Sequence, residues 1–163
     1  MDFINKVELT GIKTVDLLDF KPTTPVVALD IADFLHLGLM LKEKEFKEAV
    51  ERFHWSTFTD QAVAVFCSTE AIVPTWAFMS IGVKLLEVHA QFDYCTVEAL
   101  ELSLWKREVE RADFAGLAGE KVVVRAHQAI DPSLYMLVSA RLNGIVKTLM
   151  FGEAGLPKVI SKN

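Results

Sequence analysis

Two loops of this chain combine ligand-type side chains with the start of a predicted helix. The first contains Cys67, Ser68 and Thr75, and the second contains His127 and Ser133. Thiolate sulfur and imidazole nitrogen are common ligands of transition metals, so Cys67 and His127 are candidate metal ligands. Helix N-termini favour anions and lower thiol pKa values, because their N–H groups are free. We therefore predict ligand binding at Cys67, Ser68, Thr75 and Ser133, with the cofactor unidentified and a transition metal as the candidate.

Ordinary structural roles explain the same residues. A single cysteine at the end of a strand is commonly a small buried hydrophobe, and two ligands do not complete a tetrahedral metal site. Glu70, Asp131 or a second subunit would have to supply the other ligands. A Cys67–His127–Asp131 triad can be drawn, but only the residue types support it. The phosphate-binding, dinucleotide-binding and hydrolase motifs are absent, so the sequence favours a non-catalytic protein and leaves a thiol-dependent enzyme open.

The composition argues against two classes of partner. The 163-residue chain has a net charge of −5 and a pI near 5.4, whereas nucleic-acid binding requires a basic face. No stretch approaches the roughly 20 apolar residues of a membrane span, and the first residues lack a signal-peptide pattern. Apolar residues make up 52% of the chain and its mean hydropathy is +0.30, which favours a homo-oligomer. We expect a cytoplasmic protein with no nucleic-acid or membrane partner.

Strand and helix patterns alternate along the chain. The predicted strands are 25–31, 62–67, 92–95, 121–126 and 145–151, and helices are predicted around Phe46 and Val50 and after the caps Thr75, Thr96 and Ser133. Alternating strands and helices favour parallel pairing, because parallel neighbours need crossover connections. The sequence therefore predicts an α/β fold with a mostly parallel sheet. Ligands bind beyond the carboxyl ends of such strands, where both loops lie.

The second half of the chain partly repeats the first. The matched segments are Val50-Glu51-Arg52 with Val109-Glu110-Arg111, Trp55 with Phe114, and Val63-Ala64-Val65 with Val122-Val123-Val124. We predict a single domain, 1–163, built from two repeated α-β-α-β units at about 41–95 and 97–152, with an irregular tail at 153–163. Chance similarity of two unrelated αβα stretches is the alternative. If the repeats meet at a pseudo-twofold axis, Cys67 and His127 face one another.

Three segments carry a resemblance to a known family. They are Asp30-Ile31-Ala32-Asp33-Phe34, the run from Gly38 to Phe46, and the block from Cys67 to Met79. They resemble DUF2480, a family of uncharacterised Bacteroidetes proteins, and the similarity runs from about Phe3 to Glu153.

The resemblance implies a link to iron–sulfur cluster assembly, because genes of the family often lie near assembly genes of the SUF type. It also implies further cysteines, at the positions that His127 and Gly155 hold here, so Cys67 is the one thiol carried over. We predict a cytoplasmic accessory protein that binds a metal or small ligand, with iron–sulfur assembly proteins as partners. The alternative is an oligomeric interaction or structural module that binds no ligand.

Overall fold

The computed structural model describes residues 11–163, which form two compact units. The central unit is Thr23–Glu101, and the terminal unit combines residues 11–22 with Leu102–Asn163. The strands are β1 (Ile12–Val15), β2 (Val26–Asp30), β3 (Ala62–Phe66), β4 (Gln91–Tyr94), β5 (Lys121–Arg125), β6 (Thr148–Gly152) and β7 (Lys158–Lys162). The helices are α1 (Glu43–Arg52), α2 (Thr75–Glu87), α3 (Val97–Arg111) and α4 (Pro132–Leu142). The chain passes from the central to the terminal unit within α3.

The central unit contains a three-stranded parallel sheet in the order β2-β3-β4. Four of the five β3 residues are apolar and buried, as expected of a strand with a neighbour on each side. Side chains of the sheet and its two helices form one apolar core that includes Leu29, Phe46, Val50, Val63, Val65, Ile81 and Leu85. In α2, Ala77, Ile81 and Leu85 are buried at four-residue steps, which directs one face of the helix to this core.

The terminal unit contains a four-stranded sheet in the order β1-β5-β6-β7. The first three strands are parallel, and β7 pairs antiparallel to β6 with an irregularity between Leu149 and Met150. Its core includes Val15, Leu17, Val109, Val122, Val124, Leu134, Val138, Leu142 and Leu149. The parallel strands β1, β5 and β6 therefore bring their carboxyl ends to the same edge of the sheet.

The prediction of an α/β fold with mostly parallel strands is confirmed, and three details differ. The strands lie in two sheets, whereas one sheet was predicted. The tail is not irregular throughout, because Lys158–Lys162 forms β7 by bonding to the free edge of β6. The predicted strands omitted β1, whose sequence Ile-Lys-Thr-Val is short and half polar.

Both units contain their elements in the same order. A strand is followed by a 3-10 turn, a helix, a second 3-10 turn, a strand, a helix and a strand, and the terminal unit then adds β7. The internal repeat itself stays a prediction. None of the helices within residues 11–163 has the length and apolar character that a bilayer crossing demands.

Candidate functional site

A cavity lies at the carboxyl end of β3 in the central unit. Its volume is about 470 Å³, and it is lined by Cys67, Thr69, Ala71, Val73, Thr75, Phe78 and Tyr94. This volume lies within the roughly 300–1,000 Å³ of small-molecule sites. Two of the four predicted ligand-binding residues, Cys67 and Thr75, therefore line one cavity. Its position beyond the carboxyl ends of β3 and β4 is where open α/β sheets bind ligands.

Cys67 follows the last residue of β3 and is partly buried against the core. Its Sγ lies 3.4 Å from the carbonyl oxygen of Thr69 and 3.5 Å from Thr69 Oγ1. The thiol is free, as is that of Cys95. Burial, aided by the charge of Asp93, raises the pKa of the Cys95 thiol above its ordinary value. Cys67 therefore places a free thiol, in contact with one hydroxyl, on the wall of the cavity.

Hydrogen bonds across the unit hold the loop between β3 and α2 in place. The Ser68 N–H donates to Asp30 Oδ1 at 3.1 Å, and Thr69 Oγ1 donates to the carbonyl oxygen of Gly38 at 2.6 Å. Asp30 Oδ1 also accepts the Ala32 N–H. Burial raises the pKa of Asp30, but the hydrogen bonds from Ser68 and Ala32 outweigh it and lower the pKa below its ordinary value. Ser68 thus bonds to Asp30 and is not among the residues that line the cavity.

Thr75 is the first residue of α2 and does not cap the helix, which corrects the predicted cap. Pro74 holds the N-cap position with an extended backbone, and no side chain accepts a hydrogen bond there. The Thr75 hydroxyl is therefore not engaged in capping and lies on the cavity wall. The cavity wall also contains an aromatic pair: the rings of Phe78 and Tyr94 meet edge to face with centroids 5.1 Å apart.

The corresponding edge of the terminal unit carries a cluster of ionisable side chains. Asp16 follows β1, Arg125 ends β5, His127 lies two residues further, and Glu153 follows β6. Asp16 Oδ1 lies 3.0 Å from His127 Nε2 and Asp16 Oδ2 lies 3.5 Å from Arg125 Nη1, while Arg125 Nε lies 3.5 Å from Glu153. The Tyr135 hydroxyl accepts the His127 N–H and donates to the Arg125 carbonyl oxygen. The cluster is one connected network, in which Arg125 lies between the carboxylates of Asp16 and Glu153 and Asp16 also bonds to His127.

Asp16 is the residue that the sequence reasoning missed. Burial raises its pKa, but hydrogen bonds from the Leu18 N–H and from His127, together with the neighbouring charges, lower the pKa below its ordinary value. A signal was present in the sequence, because Val15-Asp16-Leu17-Leu18-Asp19-Phe20 resembles Leu29-Asp30-Ile31-Ala32-Asp33-Phe34. In each segment the first aspartate lies at the carboxyl end of a strand and bonds to the loop after the neighbouring strand.

Asp131 and Ser133 have a structural role at the start of α4. Asp131 is the N-cap and accepts the N–H and the hydroxyl of Ser133, which corrects the prediction that Ser133 is the cap. These bonds lower the pKa of Asp131 below its ordinary value. The carboxylate that bonds to His127 is Asp16, so the structure contradicts the Cys67–His127–Asp131 triad.

The two predicted metal ligands lie in different units, Cys67 in the central and His127 in the terminal one. Within residues 11–163, no three histidine, cysteine, aspartate or glutamate side chains come together in a group that could hold a metal ion. That Cys67 and His127 face one another stays a prediction.

Fold and site define an α/β protein with a neutral, thiol-containing cavity at one sheet edge and an ion-pair network at another. A family model described as "Protein of unknown function (DUF2480)" matches residues 1–160 of the chain. The chain belongs to this family, and the predicted resemblance is confirmed. No curated protein and no solved structure shows a significant match to it.

Proposed function

We propose that this chain is a cytoplasmic, non-catalytic accessory protein that binds a small molecule in the cavity beside Cys67. The observation that carries the proposal is the cavity itself, which combines a free thiol, two threonine hydroxyls and an aromatic pair at the carboxyl edge of a parallel sheet. A few polar groups set in an apolar wall are typical of small-molecule sites.

The loops around the cavity support binding without large rearrangement. The Ser68–Asp30 and Thr69–Gly38 hydrogen bonds join the loop after β3 to residues that follow β2. A preformed site loses less conformational entropy on binding than a site that must order itself. Among the described residues, no histidine, aspartate or glutamate lines the cavity as a general base, and Cys67 Sγ contacts Thr69. These contacts favour a binding role over a catalytic one.

A compound screen by NMR tests the proposal. Uncharged and charged fragments are added to 15N-labelled protein, and the amide signals of Thr69 and Thr75 are followed. We expect a subset of compounds to shift these signals in the wild type and in Ala129→Trp, a control in the loop that precedes α4. Ala71→Trp fills the cavity and should abolish the shifts. If no compound moves the Thr69 and Thr75 signals, or if Ala71→Trp binds as the wild type does, the proposal is wrong.

A role in iron–sulfur assembly, with a metal held through Cys67 or His127, is a second form of the same proposal. Its support is the family resemblance and the free thiol. Metal analysis of purified wild type and of Cys67→Ser tests it, because a bound metal that uses Cys67 should be lost in the variant. An absence of metal from both samples would remove this form and leave the small-molecule form standing.

A different candidate, an oligomeric interaction module, has one specific observation in its favour. An apolar groove of about 410 Å³ runs between α4 and β6–β7 in the terminal unit, and it is lined by Val124, Tyr135, Met136, Ser139, Leu149, Met150, Phe151 and Ile160. Met136 is exposed, although burial of a methionine is favourable. Light scattering of wild type and Met136→Lys distinguishes the candidates: an oligomer that the lysine dissociates supports the module, and a monomeric wild type excludes it.

A further inference from the structure

Among the described residues, none of those that line the cavity beside Cys67 is a lysine, arginine, histidine, aspartate or glutamate. Its walls are one thiol, two hydroxyls, one phenol, one phenyl ring and two aliphatic side chains. A charged group that leaves water for such a wall loses hydration and gains no counter-ion. The lining therefore favours a ligand without net charge.

Two acidic side chains of the central unit have hydrogen-bond partners of their own. The Asp30 carboxylate accepts the N–H groups of Ser68 and Ala32, and Glu45 lies 3.2 Å from His36 Nδ1. Glu70 belongs to the same loop as Cys67, but it is exposed and does not line the cavity. Among the described residues, the carboxylates of Asp30, Glu45 and Glu70 are thus absent from the cavity lining.

Exposed apolar side chains lie in the two chain segments that adjoin the cavity lining, 37–40 and 71–73, and we call them the apolar rim: Leu37, Leu39, Met40 and Ile72. Ile72 is 93% exposed and lies between Ala71 and Val73, which both line the cavity. Leu37 is 83% exposed, and the neighbouring Gly38 accepts the hydroxyl of Thr69. A ligand longer than the cavity would therefore meet apolar surface where it emerges.

Leu37 is unfavourable in two ways, because its apolar side chain is exposed and its backbone conformation is strained. Its φ is 54°, in the left-handed region that leucine rarely adopts, and the turn is closed by Gly38 N–H donating to the Leu35 carbonyl oxygen. An exposed leucine contributes little burial to offset this conformation, so folding alone gives no reason for a leucine here. Contact with a ligand that reaches the rim supplies one.

We infer that the ligand is an uncharged molecule with an apolar chain or ring system. Its polar group hydrogen-bonds to the Thr69 and Thr75 hydroxyls beside Cys67, and its apolar body packs on Phe78 and Tyr94 and continues onto the apolar rim. This inference rests on the proposed function, because it concerns the occupant of the same cavity.

A series of compounds that differ only in charge tests the inference. Hexanol, hexanoate and hexylammonium are titrated into 15N-labelled full-length protein, and Thr69 and Thr75 amide shifts give each dissociation constant. We expect hexanol to bind at least tenfold more tightly than either ion. From butanol to octanol, each added methylene should tighten binding about fourfold as it leaves water, until the rim is covered.

The rim is tested with Leu37→Asn, since asparagine tolerates the left-handed backbone and removes the apolar side chain. Octanol should bind several-fold more weakly to this variant, while butanol, which is too short to reach the rim, should bind unchanged. Leu156→Asn is the control, because Leu156 is 93% exposed in the terminal unit and lies outside the cavity.

Three results would overturn the inference, and they differ from failure of the proposed function. Ions that bind the cavity as tightly as hexanol, or more tightly, contradict an uncharged ligand and leave the binding function intact. Equal octanol affinity in wild type and Leu37→Asn removes the rim from the site. A mass by light scattering that falls in Leu37→Asn identifies the rim as a contact between copies of the chain. If no compound of either screen binds the cavity, the proposed function itself fails.

Discussion

At the scale of single residues, two aspartates hold loops in place at the carboxyl edges of the two sheets. Asp16 follows β1 and Asp30 is the last residue of β2, and each accepts the N–H group two residues further along the chain at 3.0 Å. Asp16 then bonds to His127, and Asp30 to the Ser68 N–H. Each carboxylate therefore ties the end of one strand to the loop that follows its neighbour. The loop held by Asp30 is the loop that lines the cavity.

Asp16 should stabilise the protein in a pH-dependent way. Its pKa is lowered in the folded state, so its stabilisation is present above the unfolded-state value and is lost as the pH falls through the folded value. We expect Asp16→Asn to reduce the free energy of unfolding by about 1–2 kcal/mol near pH 7, and by much less below about pH 3. Urea unfolding at both pH values measures this, with the exposed Asp19→Asn as control. An equal loss at the two pH values would contradict the role of the ionised carboxylate.

Leu37→Asn should separate stability from binding. Asparagine accepts a positive φ more readily than leucine, and the leucine side chain is largely in water. We expect the free energy of unfolding to stay the same or to rise by up to about 1 kcal/mol. Leu39→Asn in the same turn has no such strain to relieve and should give no gain. A clear destabilisation by Leu37→Asn in thermal unfolding would show that the leucine stabilises the fold itself.

At the scale of elements, the sequence predicted the strands and helices better than their ends. The Thr96 cap is confirmed, because its hydroxyl accepts the Ala99 N–H at 3.1 Å. At α2 and α4 the sequence offered a hydroxyl beside a proline in both cases, and neither hydroxyl is the cap. Pro74 precedes the first residue of α2, whereas Asp131 precedes Pro132 and caps α4 with its carboxylate. The local sequence alone therefore does not show which residue caps the N-terminus of each helix.

The sequence analysis missed two strands, β1 and β7. β1 is four residues long, and its neighbour β5 begins more than a hundred residues later, so no local periodicity marks it. β7 is likewise defined by its pairing with β6. In the site, Cys67 and Thr75 lie at the two ends of one loop and were predicted together, whereas Tyr94 and Gly38 reach that loop from other strands and turns. Tertiary contacts determine those positions.

Arg141 connects two helices of the terminal unit. Its guanidinium donates to the carbonyl oxygens of Val109 and Ala112, at 2.7 Å each, and to that of Glu110 near the end of α3. Its Cζ also lies 5.1 Å from the centroid of the Phe114 ring. The side chain thus satisfies carbonyl groups that a helix end leaves without partners.

We expect Arg141→Met to lower the free energy of unfolding by about 2–3 kcal/mol, because charged hydrogen bonds to the α3 carbonyls are lost. Lys84→Met is the control, because Lys84 is a cation in the last turn of α2 in the central unit, where its ammonium group pairs with the exposed carboxylates of Glu51 and Glu87. Denaturant unfolding should show a smaller effect for that variant. Equal losses of unfolding free energy in the two variants would mean that the hydrogen bonds from Arg141 to the helix-end carbonyls stabilise the fold no more than the ion pairs of Lys84 do.

At the scale of the whole molecule, the high apolar content is divided between two cores and several exposed surfaces. Each unit buries its own apolar cluster, one around Val63 and one around Val122. Exposed apolar residues collect at the rim of the cavity and along the groove beside α4. The composition predicted this surplus but not where it lies, because hydropathy does not record which side chains the fold leaves in water.

The central claim is that the cavity beside Cys67 holds a small molecule. A crystal structure of the wild type with the tightest-binding compound of the screen tests it most directly. We predict density for that compound between Cys67, Thr69 and Tyr94, with its polar atom within hydrogen-bond distance of a threonine hydroxyl. Density for the compound at another place on the chain, with only water in the cavity, would contradict the claim.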